Sequence, residues 1–177
     1  MDTLALPACF ERKDAKLQAP NRLRYTIPVE GDIDEYREVL LDKLGYDDVK
    51  DRVDFLQGDA CNLKPQFTNY NVVFAGNLID RLYEPAMFLK DIQVRLLSGG
   101  LLVLTSPYTW LAEYTDKSNW LGGVKVNGEN FSTLDALKQQ LADTFDFEEA
   151  VDVPFVIRET ARKHQHTVAQ MTIWRKR

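Results

Sequence analysis

The sequence is poor in cysteine and histidine, has no long apolar run and carries no excess of positive charge. Its two cysteines, Cys9 and Cys61, match no C-x-x-C or zinc spacing. They read as free thiols, with one disulfide as the alternative. The two histidines, His164 and His166, alternate along a strand-like segment and would face opposite sides, with no third ligand nearby, which argues against a metal site. No apolar run approaches the roughly 20 residues that span a bilayer. Met1–Phe10 has no basic start leading into an apolar stretch, so it does not read as a signal peptide. A formal net charge of -5 works against nucleic acid or an anionic membrane as the main partner. Glycine is scarce early: the first is Gly31, and no G-x-G precedes Gly58. What is left is the composition of an ordinary globular protein, 45% hydrophobic and 28% charged over 177 residues. A single soluble, cytoplasmic α/β domain is expected, with residues 1–21 the least readable part.

Along the chain, Ala8–Gln18 reads as a short polar helix and Arg22–Val29 as a strand, with Pro28 suggesting an edge. Asp32 or Asp34 is placed to cap a helix through Tyr36, Val39, Leu40 and Leu44, stopped by Gly45. Val53–Gln57 alternates like a strand; Asn71–Ala75 reads as a strand buried on both faces. Glu84–Leu97 has helical spacing at Phe88, Leu89, Ile92 and Leu96, with Pro85 in the first turn. After Ser98–Gly99–Gly100, the run Gly100–Thr105 is again a buried strand. An aromatic-rich connection, Thr109–Asn130, leads to a helix capped by Ser132 or Thr133 and running through Leu134, Leu137 and Leu141. Phe145–Val151 and Thr167–Arg175 are the last two strands. Alternating β and α elements predict a mostly parallel sheet covered by helices, closed by an antiparallel hairpin.

Several segments carry chemistry-bearing residues. Gly58–Asp59–Ala60–Cys61 follows an expected strand, where ligands of open α/β sheets bind. The Asp59 carboxylate there is able to accept an adenine amino group, and the next backbone N–H to bond a ring nitrogen; as ordinary turn chemistry, Gly-Asp needs no ligand. In Ala75–Gly76–Asn77, small residues allow close approach and Asn77 offers both donor and acceptor, or simply caps a helix. Asp80–Arg81 reads equally as a local solvated pair. Thr105–Trp110 ends a strand, and Tyr108 and Trp110 are placed to line an acceptor pocket, or to be core. Arg158 is suited to a bidentate grip on a substrate carboxylate, with a surface pair to Glu159 as the plainer reading.

The segment Leu96–Leu104, with its Ser98–Gly99–Gly100, resembles the entry to the fifth strand of class I methyltransferases, Ser98 standing where those carry proline. More narrowly, FLQGDACNLKP, NLIDRLYEPAMFL, SGGLLVLTSPYTWL, NWLGG and DVPFVIRETARKHQHT resemble the C-terminal methyltransferase domain of the ovothiol synthase family, over Arg22 to Arg177. The resemblance implies a Rossmann-like class I methyltransferase fold. It implies S-adenosylmethionine as cofactor and N-methylation of the imidazole of 4-mercaptohistidine, a thiol-histidine derivative. It implies cofactor contacts from Asp59, Ala60, Cys61 and Asn77; position and chemistry, rather than the resemblance, suggest Asp80 or Tyr108 for orienting the imidazole and Arg158 and Trp110 for the substrate.

The chain departs from that pattern at its start. The strand and glycine-rich loop that hold the methionine end of the cofactor are not seen, and only Glu11 or Asp14 stands where a ribose-binding carboxylate is wanted. Read so, the domain is N-terminally truncated, and a parallel sheet without its first strands has an unpaired edge. A homodimer or a complementing chain would fill it. The competing expectations are a non-catalytic remnant that keeps the fold without cofactor, and a related methyltransferase with another small-molecule acceptor.

Overall fold

In a computed structural model, the chain is described at residues 17–19, 22–46, 48 and 52–177, so the expected helix over Ala8–Gln18 lies mostly outside the described residues. Its last two positions belong to strand β1, Leu17–Ala19. The described residues fall into two compact units, one of residues 55–153 and 168–177, the other of residues up to 54 and 154–167.

The second unit carries a three-stranded sheet, β1 beside β2 (Arg22–Glu30) beside β3 (Ile33–Leu40). The helix expected through Tyr36, Val39 and Leu40 is therefore a strand. Gly31–Asp32 lies between two runs that pair antiparallel from Arg22↔Leu40 to Glu30↔Ile33. Gly31, at φ 54°, adopts the left-handed backbone that a two-residue hairpin turn requires. The backbone pairing offered by the β-forming run Arg22–Val29 outweighs the helical spacing of Tyr36, Val39 and Leu40.

The first unit is built on a four-stranded sheet in the order β4-β5-β9-β8. Strand β4 (Tyr70–Gly76) leads through helix α1 (Pro85–Ile92) to β5 (Leu96–Ser106), which lies parallel to it. This is a β-α-β unit, consistent with a Rossmann-like fold. α1 is shorter than expected, because its spacing survives only to Ile92; tight turns from Val94 to Asp91 and from Arg95 to Ile92 then release the chain into β5. A small hairpin follows, β6 (Val124–Val126) and β7 (Glu129–Phe131), turned on Asn127 and Gly128, both left-handed. Helix α2 (Thr133–Leu141) begins as expected: Ser132 and Asp135 form a reciprocal capping box. Gly122 has no room for a Cβ, which would lie 2.4 Å from the Ser132–Thr133 backbone. The last strands, β8 (Phe145–Arg158) and β9 (His164–Lys176), are longer than their sequence signals and form the expected hairpin. β9 runs antiparallel to β5, so the described sheet is mixed, with one parallel pair, rather than mostly parallel.

One face of this sheet is covered. Val73, Ala75, Leu102, Leu104 and Trp174 pack with Phe88, Leu89 and Ile92 of α1 and Leu137 and Leu141 of α2 into one core. Burial of such side chains at about 25 cal/mol per Å² is the main force holding the layers together. On the other face β4 is open, Val72 being 49% and Phe74 54% exposed, which corrects the expectation of a strand buried on both sides. Nor is Val53–Gln57 a strand among the described residues; its Phe55 is 79% exposed and its backbone pairs with no neighbour in a sheet. Alternation without a partner strand does not make a sheet. Among the described residues no helix is long and apolar enough to cross a membrane, and no metal-binding cluster of His, Cys, Asp or Glu occurs.

Candidate functional site

The two parallel strands end side by side, Gly76 opposite Thr105. Beyond each end stands a non-glycine residue with left-handed backbone, Asn77 at φ 50° and Tyr108 at φ 53°. Such conformations cost energy and persist only where the surroundings enforce them, and they gather at functional sites. For Asn77 the enforcement is visible. Its backbone N–H reaches Thr105 O at 2.8 Å and Thr105 Oγ1 at 3.0 Å, and the Thr105 hydroxyl donates to Asn77 Oδ1 at 3.2 Å. Tyr108 is fixed at both ends. Its backbone N–H donates to Ser106 Oγ at 2.9 Å, and its hydroxyl donates to Gln170 Oε1 at 3.1 Å. Burial, then the nearby Asp80 carboxylate, pushes the Tyr108 hydroxyl up to about 12, so it stays a neutral phenol at physiological pH.

Asp80 underlies this loop. It sits in a single 3₁₀ turn, Ile79–Arg81, and is fully buried. Its Oδ1 accepts from Ser106 Oγ at 2.8 Å; its Oδ2 accepts from the Thr109 N–H, the Thr109 hydroxyl and Arg81 Nη1, each at 3.0 Å. Arg81 continues the network to Thr109 O and Thr109 Oγ1, both at 2.7 Å, and its guanidinium lies 5.1 Å from the Tyr114 ring centre. The pair expected to be solvated is thus a buried carboxylate with four protein donors. With its lone pairs taken, Asp80 ties the turn after β4 to the loop after β5. Ser106 and Thr109, the partners that make this possible, carry no sequence signal of their own.

The Gly58–Cys61 loop is held by its own acid. Asp59 Oδ1 accepts from the Cys61 N–H at 2.9 Å, and Oδ2 accepts from the Tyr83 hydroxyl at 2.8 Å. That second bond is the first cause pushing the Tyr83 hydroxyl up to about 12. Ala60 and Cys61 are buried, and the Cys61 thiol donates to Glu84 O at 3.4 Å. Desolvation raises the thiol's pKa, so Cys61 is a packed thiol, not a nucleophile. A cavity of about 60 Å³ lies beside Asp59, walled by Leu56, Gln57, Leu63 and Phe67 among others. Tyr83 is a site residue that sequence reasoning missed: it lies 24 positions from Asp59, and nothing in its neighbours marks it.

Two other expected site residues stand elsewhere. Trp110 is buried; its indole N–H donates to Thr133 Oγ1 at 3.0 Å, and its ring stacks with Trp120 at 6.2 Å. It packs in the core, the plainer of the two readings of this aromatic, with apolar neighbours and a hydrogen-bond partner. Arg158 belongs to the second unit, where it donates from Nε to Thr160 O at 3.1 Å, while Glu159 pairs with Lys163 instead.

The chain matches no family model and no curated protein. It is similar to solved methyltransferase structures. One is the N-methyltransferase NodS from Bradyrhizobium japonicum WM9 in complex with S-adenosyl-L-homocysteine, at 12% identity and a TM-score of 0.45, covering 71% of this chain and 55% of NodS. Another is an S-adenosylmethionine-dependent methyltransferase from Methanosarcina mazei, at 16% identity and a TM-score of 0.48, covering 70% of this chain and 67% of the other. This chain thus spans little more than half the length of NodS.

Proposed function

We propose that this chain is the cofactor- and acceptor-binding part of an S-adenosylmethionine-dependent methyltransferase acting on the imidazole of 4-mercaptohistidine. The observation that carries the reading is the pair of left-handed residues, Asn77 and Tyr108, at the carboxyl ends of adjacent parallel strands. In open α/β sheets that is where ligands bind. The acceptor's identity rests on the resemblance of the segments around Asp59, Asp80, Tyr108 and Arg158.

When bound, S-adenosylmethionine supplies a methyl group already activated by the sulfonium charge. Asp59 would hold the adenine amino group and the Ala60 N–H a ring nitrogen, with Cys61 shaping the loop behind them. Asn77 would stand beside the sulfonium. The neutral Tyr108 phenol orients the imidazole so that a lone pair points along the line of transfer; positioning of this kind carries most of the rate when the electrophile is preactivated. Asp80 acts through the loop that carries Tyr108. Arg158 offers a guanidinium fork to an amino-acid carboxylate.

Calorimetric titration tests the first half: S-adenosylmethionine is expected to bind at micromolar concentration, and absence of heat at millimolar cofactor would sink the reading. Asp59→Ala is expected to weaken that binding by about 10- to 100-fold, the range for losing a hydrogen bond to a charged group. Arg158→Ala should raise KM for 4-mercaptohistidine while leaving cofactor affinity as it was; an unchanged KM removes Arg158 from the site. The second reading, a fold kept without cofactor, is favoured by the fact that both Asp59 oxygens already hold donors of the protein itself. The same titration separates the two.

A further inference from the structure

Asp59 is the one carboxylate that the proposed reading assigns to recognition, and Tyr83 already sits on it. The Tyr83 hydroxyl donates to Oδ2 at 2.8 Å, while Oδ1 is kept by the Cys61 N–H of the loop's own turn. A ligand amino group that approaches Asp59 without unravelling the 59–61 turn therefore meets Tyr83 at Oδ2, and either takes the remaining lone pair beside the phenol or displaces it. The competitor is well placed to leave. Its ring is half exposed, and the residue precedes α1, whose first turn starts at Pro85. The main chain beneath it is anchored independently, because Asn119 Nδ2 donates to Tyr83 O and to Glu84 Oε1, both at 3.1 Å. Swinging the phenol aside breaks its hydrogen bond to Asp59 and its contact with the Cys61 thiol. The cavity beside Asp59 is small, about 60 Å³, far below the several hundred Å³ of an ordinary ligand pocket.

We infer that Tyr83 is a displaceable latch on the nucleoside site: its hydroxyl holds the place of the ligand's amino donor on Asp59, and a ligand binds by exchanging its own N–H for the Tyr83 O–H. This rests on the reading of Asp59 as the adenine acceptor. The latch sets specificity as well as access. A purine with an amino group at its six position replaces the donor it displaces. One with a carbonyl there, as in inosine, would set an acceptor against the carboxylate and leave the latch closed.

The test uses the whole chain, with S-adenosylhomocysteine and its inosine counterpart as probes. Tyr83→Phe removes the competing hydroxyl and keeps the ring. It is expected to bind S-adenosylhomocysteine about three- to tenfold tighter than the native chain, since the binding-competent fraction rises when the closed form is lost. The native chain should bind the inosine counterpart at least tenfold more weakly. In isotope-labelled tyrosine NMR, the Tyr83 signal, identified by its loss in Tyr83→Phe, should shift on adding S-adenosylhomocysteine and stay in place with the inosine compound. If the native chain binds S-adenosylhomocysteine and Tyr83→Phe binds it equally or more weakly, the latch is wrong while the cofactor reading stands. If neither protein binds at millimolar probe, the reading of Asp59 falls and takes the latch with it. Binding by Tyr83→Phe alone supports both.

Discussion

Replacing Arg95 by alanine is expected to lower the stability of the protein by about 3–5 kcal/mol, the cost of breaking a buried ion pair from one side. Arg95 is 7% exposed. Its Nε and Nη2 grip both oxygens of Asp91, at 3.0 and 2.8 Å, one turn earlier. Its remaining N–H groups donate to four carbonyls, Leu63 O at 3.1 Å, Lys64 O at 2.9 Å, Phe67 O at 3.2 Å and Pro65 O at 3.4 Å. The loop from Leu63 to Phe67 has no ladder partner of its own, and this guanidinium stands in for one. Alanine would strand those carbonyls and the Asp91 carboxylate, each a group whose desolvation is then uncompensated. At about 2–4 °C per kcal/mol for a chain of this size, the melting temperature should fall by roughly 10 °C. Arg95→Lys keeps the charge and loses the fork, so it should recover less than half of the loss. A denaturation midpoint shift equivalent to less than about 1 kcal/mol would show that the loop is held by packing alone. Because Leu63, Lys64 and Phe67 wall the cavity beside Asp59, ligand affinity should fall together with stability.

Asp80→Ala is expected to cost about 2–4 kcal/mol, by leaving the Ser106 and Thr109 donors without their acceptor and the partly exposed Arg81 guanidinium without its counter-charge. Here the damage should also reach the site, since Ser106 and Thr109 lose the acceptor that sets the loop carrying Tyr108. Asp80→Asn should fall between native and alanine: one oxygen still accepts, while the amide nitrogen turns a donor towards donors. Adding Arg81→Met to Asp80→Ala should restore part of the stability, because it removes the orphaned charge, and a double-mutant cycle would measure that coupling. If Asp80→Ala lowered the rate of the proposed methyl transfer with no change in folding stability, Asp80 would be a catalytic residue rather than a positioning one.

Where local chemistry decides the structure, the sequence is legible. Ser132 followed three residues later by Asp135 marks the start of α2, and the capping box is there. The runs Asn71–Ala75 and Gly100–Thr105 lie within the adjacent strands β4 and β5. Illegible features needed a partner. Tyr36, Val39 and Leu40 fit a helix until β2 pairs with them, and Gly31–Asp32 and Asn127–Gly128 are the turn signals that would have found both hairpins. Val53–Gln57 has the pattern of a strand and no partner strand among the described residues. At the site, Asp80 beside Arg81 looks like surface charge because its other donors arrive 26 and 29 residues later. Tyr83 is invisible for the same reason. Trp110 shows the reverse: the chemistry of its side chain suggested a ligand, and its neighbours made it core.

The placement of β9 has a consequence in time. This strand, made after every other strand of its sheet, lies between β5 and β8 and supplies Thr172 and Trp174 to the interior. Its contacts close very large loops: Lys176 Nζ reaches Leu96 O across 80 residues. During synthesis the β4-α1-β5 unit emerges with one edge of β5 bare, and β8 emerges with nothing to lie against. The sheet therefore closes only once β9 has emerged, in one late insertion that must first overcome the entropy of a long loop. A ribosome stalled before Thr172 would release a chain with its helices made and its central strand missing.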